Sequence, residues 1–177
     1  MRAIGTMTVA ILVAAPALVY AVNLPPASGD KSLEDRVRHE LRMLPYYTVF
    51  DEINFSVSGD RVTLTGEVTN PVLKTDAENA VKHVAGVSAV DSQIEVLPLS
   101  AFDRNIRMRT YFAIYGYGPL QKYGAGTWPS IHILVKNGNV RLVGVVDSAT
   151  DRNMAYIRAN SVPGVFAVTN DLRVQNS

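Results

Sequence analysis

Two stretches of the chain repeat the same order of apolar and polar positions. Residues 62–96 align without a gap with residues 140–174, 78 positions further on, and most of the aligned apolar and glycine positions carry the same residue. Upstream of these stretches Val37 aligns with Ile106, which is only 69 positions away. The chain is therefore an internal repeat, and its second copy carries nine extra residues between its first helix and its first strand.

The pattern within each copy predicts helix, strand, strand, helix and strand. In the first copy Ser32 and Asp35 form a capping box before an apolar stripe of helical spacing, and Asn70 precedes a second helix with Pro71 at its first position. Alternation of apolar and polar residues predicts the strands 53–57, 62–68 and 87–96. The predicted fold is α+β, with two small αββαβ sandwiches in which the helices pack on one face of a three-stranded sheet.

Glycine occupies equivalent places in the two copies. Gly66 and Gly144 lie in the second strand of each predicted hairpin, and Gly86 and Gly164 follow the second helix. We interpret all four as structural residues. We expect Gly86 and Gly164 to take the left-handed conformation that ends a helix.

Several motifs in the repeat are similar to a known domain family. The hairpin sequence GDRVTLTGEV, the helix carrying Asp76-Ala77-Glu78 and the sequence VAGVSAVDSQIEV resemble a BON domain, and NGNVRLVGVV with VPGVFAVTNDLRV resembles a second one. The resemblance covers residues 31–98 and 101–177, which we interpret as BON-like domains 1 and 2. It implies a non-enzymatic protein of the periplasm or envelope, linked to phospholipid or membrane association and to protection against osmotic stress. It implies no catalytic residues, because the family has no invariant catalytic motif.

Residues 1–21 predict export. Arg2 precedes an apolar run that ends in small residues, as is typical of a secretory signal peptide. Small side chains at the required spacing predict cleavage after Ala21 or after Ala17. The alternative is an uncleaved membrane anchor, although the run is shorter than a spanning helix needs. Residues 22–30 have the composition of a linker, and we expect a periplasmic protein.

The composition argues against several kinds of chemistry. Cysteine is absent, which excludes disulfide bonds and thiolate sites. His39, His83 and His132 lie on three different predicted elements, so no pair has the spacing of a metal site. Behind the predicted signal peptide 16 basic side chains balance 16 acidic ones, which argues against nucleic acid as a partner. We expect no metal, no cofactor and no enzymatic activity.

The two copies differ in charge. Residues 31–98 contain 7 basic and 11 acidic side chains, whereas residues 101–177 contain 9 basic and 4 acidic ones. Two interpretations are open. Either the copies dock against each other, or the second copy faces an anionic surface such as phosphatidylglycerol or cardiolipin headgroups.

Aromatic and cationic side chains are concentrated in the second copy. We expect the core stripe of its first helix to consist of Phe102, Ile106, either Arg109 or Thr110, and Ala113, which leaves several large side chains outside one buried face. The insertion, residues 116–129, is rich in glycine and adds further rings. The candidate lipid- or partner-binding residues are Arg104, Arg107, Met108, Tyr111, Phe112, Tyr115, Tyr117, Lys122, Tyr123 and Trp128.

These residues support two hypotheses for function. In the first, domain 2 binds an anionic phospholipid membrane surface through rings at the acyl boundary and cations at the phosphates. In the alternative, the protein is an interaction module of the envelope whose aromatic insertion docks a partner protein or a second copy of the chain. The sequence is compatible both with an exposed insertion and with one that folds back as a satellite core, and it makes no prediction of the oligomeric state.

Overall fold

Each copy folds as one αββαβ unit in the computed structural model, which describes residues 32–125 and 128–175. The predicted signal peptide, residues 1–21, and linker, residues 22–30, lie outside the described residues. The elements of the first repeat are α1 Leu33–Arg42, β1 Glu52–Ser58, β2 Arg61–Val68, α2 Pro71–Lys82 and β3 Ala89–Val96. Those of the second are α3 Ala101–Tyr115, α4 Gly118–Gln121, a 3-10 turn Lys122–Gly124, β4 Ile131–Lys136, β5 Asn139–Val146, α5 Ala149–Asn160 and β6 Ala167–Val174. The predicted α+β fold is confirmed.

The two sheets have the same strand order and the same register. β2 lies between β1 and β3, antiparallel to β1 and parallel to β3, and β5 holds the same place in the second sheet. Val62 of β2 pairs with Val57 and Val90, and Val140 occupies the equivalent position in β5. A parallel pair requires a crossover, which α2 and α5 supply.

The helices cover one face of each sheet and form the core there. In the first repeat Val62 and Leu64 of β2 pack in one cluster with Leu73 and Val81 of α2, and all four side chains are at most 1% exposed. Each buried side chain of this size contributes about 1.5–3 kcal/mol of hydrophobic stabilisation. Burial of this face fixes the register, because a shift by one residue would turn the apolar side chains to the other face.

The predicted caps hold the starts of the helices. The hydroxyl oxygens of Ser32 and Ser148 accept hydrogen bonds from the backbone N–H groups of Asp35 and Asp151, at 3.1 and 3.0 Å. The side chain of Asn70 caps α2 in the same manner. Such caps satisfy N–H groups that have no partner within the helix and contribute about 1 kcal/mol each.

The glycine that follows the second helix belongs to a turn. The C-cap residue of α2, His83, keeps a right-handed conformation, so the expectation that Gly86 ends the helix is wrong. Gly86 has φ +95° and is the third residue of a turn closed by a hydrogen bond from Val87 N to Val84 O, at 3.1 Å. Gly164 has the same φ. The expected left-handed conformation is therefore present, and it serves a turn that requires a positive φ at this position.

The two repeats contact each other through the sheet faces that carry no helices. Leu134 and Val143 lie on this outer face of the second sheet and are 1% and 4% exposed, although neither belongs to the core cluster of its repeat. Leu97, just after β3, is buried in the same way. Ile133 N–H donates to Val49 O across the repeats at 2.7 Å. The two repeats therefore form one compact unit.

Candidate functional site

The helix α3 turns a different face inward from the expected one. Asp103 is fully buried and accepts hydrogen bonds from the backbone N–H groups of Asn137 and Gly138, at 3.0 and 2.8 Å. Arg107, one turn further on, is 6% exposed and donates to Val135 O at 2.9 Å. The prediction that Arg107 lies on a binding surface is therefore wrong, because its guanidinium is bound to the backbone of β4.

Two residues expected in the core lie outside it as a consequence. Phe102 is 47% exposed and Ala113 is half-buried, whereas Thr110 and Ile114 are fully buried. The contacts of Asp103 with the β4–β5 turn set the rotation of the helix. Apolar periodicity could not show this, because the residue that decides the rotation is charged.

The inserted segment folds back onto the second repeat. Tyr115 and Tyr123 are 7% and 4% exposed, so the prediction that they offer a binding surface is wrong. The Tyr115 hydroxyl donates to Ile131 O, and the Tyr123 hydroxyl donates to the Asp151 carboxylate at 2.6 Å. Both rings belong to the core cluster of the second repeat, which is the satellite-core alternative.

Lys122 fixes the insertion to the body of the second repeat. Its ammonium group lies 2.7 Å from the Asp147 carboxylate and 3.3 Å from that of Asp151. The hydrogen bond to Asp147, followed by that to Tyr123, raises the pKa of Lys122. Lys122 thus has carboxylate partners in its own repeat while its side chain stays exposed, and its assignment as a lipid- or partner-binding residue remains a prediction.

Two further predicted tyrosines are half-buried. Tyr111 packs between Phe50 and Tyr115, with ring centroids 6.2 and 4.9 Å away. The guanidinium of Arg158 lies 4.0 Å from the centre of the Tyr117 ring. Both rings thus have intramolecular partners, and the cation beside Tyr117 belongs to α5.

The remaining candidates form an exposed row on the solvent side of α3. Arg104, Met108 and Phe112 are spaced four residues apart, and Arg109 lies beside them, so the four side chains share one helical surface, here named the α3 face. Met108 is 42% and Phe112 64% exposed. No acidic side chain of the described residues lies within ion-pair distance of either arginine, and Arg109 makes only a long hydrogen bond of 3.4 Å to Pro163 O.

A pair of phenylalanines lies near the N-terminal end of α3. The rings of Phe102 and Phe166 are 5.8 Å apart and lie over Gly138, and Phe166 is 74% exposed. Phe166 is not among the candidate residues predicted from the sequence. Comparison of the two copies could have indicated it, because the second copy has a large aromatic residue where the first copy has Ser88.

The first repeat has the opposite charge on the equivalent helix surface. Because Val37 aligns with Ile106, the positions of the α3 face correspond to Asp35, His39, Glu40 and Met43 in α1. Val37 and Ile106 are both buried, so the correspondence between the two helices also holds in the structure. Two arginines of the second repeat thus replace two carboxylates of the first.

Some cations of the second repeat form ion pairs with carboxylates of the first repeat at their interface. The guanidinium of Arg141 lies 3.1 Å from Glu67 and 3.5 Å from Glu52, and the ammonium of Lys136 lies 2.5 Å from Glu95. These pairs support the interpretation that the oppositely charged copies dock against each other. The arginines of the α3 face take no part in them.

Trp128, the last predicted residue, contacts the first repeat. Its ring centroid lies 4.9 Å from that of Tyr47, and it is 37% exposed. With Tyr123 buried and Tyr117 half-buried, the described part of the insertion offers little free aromatic surface for a partner.

Within residues 32–125 and 128–175, no three side chains of His, Asp or Glu are grouped so that they could hold a metal ion. None of the helices in these ranges has the length and apolar character needed to cross a membrane.

A family model for the BON domain matches residues 29–98 and 124–176. The chain belongs to the BON domain family. BON domains are non-catalytic binding modules, and the proteins that carry them are typically associated with the cell envelope. The two matched segments leave out residues 99–123, so the α3 face lies in the part of the second BON domain that the family model does not match.

Two solved structures are similar to the chain at low identity. The C-terminal domain of CdsD, a structural protein of the type III secretion system of Chlamydia trachomatis, is 13% identical, with 83% of this chain and all of that one covered and a TM-score of 0.30. A second structure of CdsD from the same organism is 12% identical, with 82% and 93% covered and a TM-score of 0.29. No curated protein matches the chain.

Proposed function

We propose that this protein is a non-catalytic module of the periplasmic side of the envelope that binds an anionic phospholipid surface through the α3 face of its second BON domain. The observation that carries the proposal is the exposure of Met108 and Phe112 on the same helix surface as Arg104 and Arg109, two cations without an acidic partner among the described residues. The predicted signal peptide, residues 1–21, supports export to that compartment. We assign the protein to envelope protection under osmotic stress, as the family resemblance implies.

The chemistry of the α3 face suits the headgroup region of a membrane. Apolar side chains on one helix surface enter the boundary between headgroups and acyl chains, while flanking arginines pair with phosphates. Each cation near an anionic surface contributes on the order of 1 kcal/mol. Phe102 and Phe166 extend the apolar surface at one end of the helix.

The acidic side chains on the equivalent surface of the first repeat favour the second repeat as the one that binds lipid. Its equivalent helix surface carries Asp35 and Glu40, which an anionic surface repels. Because the fold is the same in both repeats, the side chains of this one surface account for the expected difference in lipid binding.

Co-sedimentation of the full chain with vesicles tests the proposal. We expect binding to phosphatidylglycerol vesicles that weakens with salt, and little binding to phosphatidylcholine vesicles. The double variant Arg104→Glu with Arg109→Glu should weaken binding to phosphatidylglycerol by about tenfold or more, since it reverses two contributions of roughly 1 kcal/mol each. Its melting temperature should remain close to that of the wild type, because both side chains are exposed.

The matched control is Arg38→Glu with Arg42→Glu in α1, which makes the same charge change on the equivalent helix. It should leave vesicle binding nearly unchanged. Equal loss in both double variants would show that net charge alone drives binding, and an unaffected Arg104→Glu, Arg109→Glu protein would remove the α3 face as the site.

A further inference from the structure

The first strand of the first repeat has an unpaired edge. β1 pairs with β2 on one side, and its other side makes no backbone pairing with the described residues. Its sequence, EINFSVS, contains neither lysine nor proline, the residue types that commonly protect exposed strand edges. Such an edge is suited to pairing with one more strand.

The equivalent strand of the second repeat, β4, is covered on this side. Ile133 N–H donates to Val49 O at 2.7 Å, so the turn before β1 already satisfies one outward backbone group of β4. Ile131 O accepts the hydroxyl of Tyr115 from the α3 side. The backbone groups of Ile131 and Ile133 that make these bonds point away from β5. The equivalent positions in β1 are Ile53 and Phe55, and we call positions of this kind outward.

At a third outward position in β4, Val135, an arginine binds the backbone carbonyl group. Val135 O accepts a hydrogen bond from Arg107 at 2.9 Å. The corresponding residue in α1 is Arg38, which instead pairs with Asp35 at 3.0 Å. Val57, the counterpart of Val135 in β1, therefore lacks this donor.

The outward positions of β1 are open beyond its first residues. The Tyr47 hydroxyl lies near the backbone of Ile53, at the start of β1. Phe55 is the counterpart of Ile133, yet among the described residues no backbone group bonds to it from outside the sheet as Val49 O does to Ile133. Among the described residues the edge is thus free at Phe55 and Val57, while Tyr47 lies beside it at Ile53.

This edge lines a groove between the two repeats, which we name the β1 groove. Its volume is about 790 Å³, and it is lined by residues of β1 and α1 together with Tyr47, Trp128 and Arg173. A second cavity of about 410 Å³ shares Tyr47, Ile53, Asn54 and Arg173 with it, so space continues past the strand on the side of the second repeat.

The charge of the groove is positive. Arg38, Arg42 and Arg173 line it, against the single carboxylate of Glu34. Neither Arg42 nor Arg173 lies within ion-pair distance of a described acidic side chain. We propose that the β1 groove binds an extended acidic peptide of another protein, which adds to β1 as a strand at Phe55 and Val57 and places carboxylates near these two arginines.

A second copy of the chain is a poorer occupant of the groove. Pairing of β1 with β1 of another copy would bring the arginines that line both grooves to the same edge. Like charges at one interface oppose association, whereas an acidic strand removes this repulsion. The β1 groove is lined mainly by the first repeat and contains no residue of the α3 face, so this proposal does not depend on lipid binding.

Hydrogen exchange of the full chain with a panel of seven-residue peptides tests the proposal. In the panel Glu alternates with Val or Thr, and in a matched panel Lys replaces each Glu. We expect the acidic peptides to slow exchange of the β1 amides and to bind about tenfold or more tightly than the lysine peptides. A proline at the centre of an acidic peptide should abolish binding, because it removes a backbone donor and blocks strand pairing.

The variants separate this site from the α3 face. Arg42→Glu with Arg173→Glu should reduce the affinity for the acidic peptides by about tenfold, and Arg104→Glu with Arg109→Glu should not change it. The proposal is overturned if no acidic peptide binds, if lysine peptides bind equally well, or if the protected amides lie outside β1. Protection of β1 that depends on protein concentration without any peptide would instead identify a second copy as the occupant.

Discussion

A glycine inside the second strand of each hairpin is required by the backbone around it. Gly66 and Gly144 have φ of +131° and +125°, a region that side chains with a Cβ rarely adopt. A Cβ at Gly66 would collide with the carbonyl oxygen of Glu52 on β1, and one at Gly144 would collide with that of Ser130. Neither obstacle can yield, because both are backbone atoms held by strand pairing.

We expect Gly144→Ala to destabilise the protein by about 2–4 kcal/mol, through a strained φ and a backbone collision together. Gly164→Ala should cost only about 1 kcal/mol, since a Cβ there meets ordinary van der Waals contacts and only φ is unfavourable. Urea denaturation measures both changes. Gly118→Ala is the control, because Gly118 has open space around it and no positive φ, and equal midpoints for all three variants would contradict this account.

At the scale of the element, the insertion is held by polar contacts as much as by its rings. The Tyr123 hydroxyl donates to the Asp151 carboxylate at 2.6 Å and accepts the Asp147 N–H at 2.8 Å. The carboxylate of Asp151 lies at the start of α5, whose Ser148 cap bonds its backbone N–H. The insertion is thus tied to the N-terminal end of α5, where a negative charge is favourable.

We expect Tyr123→Phe to destabilise the protein by about 1–2 kcal/mol, because the partly buried Asp147 N–H then loses its acceptor. Tyr156→Phe is the matched control, as Tyr156 is 39% exposed, and it should change stability by less than about 0.5 kcal/mol. Thermal melts of the two variants check this. A silent Tyr123→Phe would mean that apolar packing alone holds the insertion.

At the scale of the whole molecule, a histidine lies where the repeats meet. His132 of β4 packs edge-on to Tyr47 of the first repeat, with ring centroids 5.6 Å apart, and its buried Nδ1 has no partner among the described residues. Burial lowers the pKa of His132 from its usual 6.5, although Glu52 opposes the shift. The neutral ring therefore suits the folded interface.

The lowered pKa of His132 makes stability depend on pH below about 6.5. In that range the unfolded chain takes up a proton at this histidine while the folded chain resists it, so the unfolded state binds more protons and stability falls as the pH decreases. We expect a lower urea midpoint at about pH 5.5 than at about pH 7.5. His132→Gln should reduce this difference.

The control for this prediction is His39→Gln, in which an exposed histidine of α1 is replaced. It should keep the full pH difference of the wild type. If His132→Gln and His39→Gln show the same pH dependence, His132 does not couple the interface to protonation.

The sequence by itself determined the repeat and most of its elements. The caps at Ser32 and Asn70, and the alternation of Val62 and Leu64, act through neighbours in the chain, and their structures are as predicted. The residues that vary least between the copies are those of the shared core and turns. For this reason the resemblance to the BON domain could also be recognised from the sequence.

Only the tertiary structure decided which side chains of the second repeat remain at the surface. Arg107 and Arg104 are both arginines of one helix, and contact with β4 buries the first and leaves the second exposed. Tyr115 and Phe112 are separated in the same way, by the insertion that folds over one of them. Burial at these positions depends on residues more than ten places away in the chain, such as Val135 and Ile131, and no local pattern records such contacts.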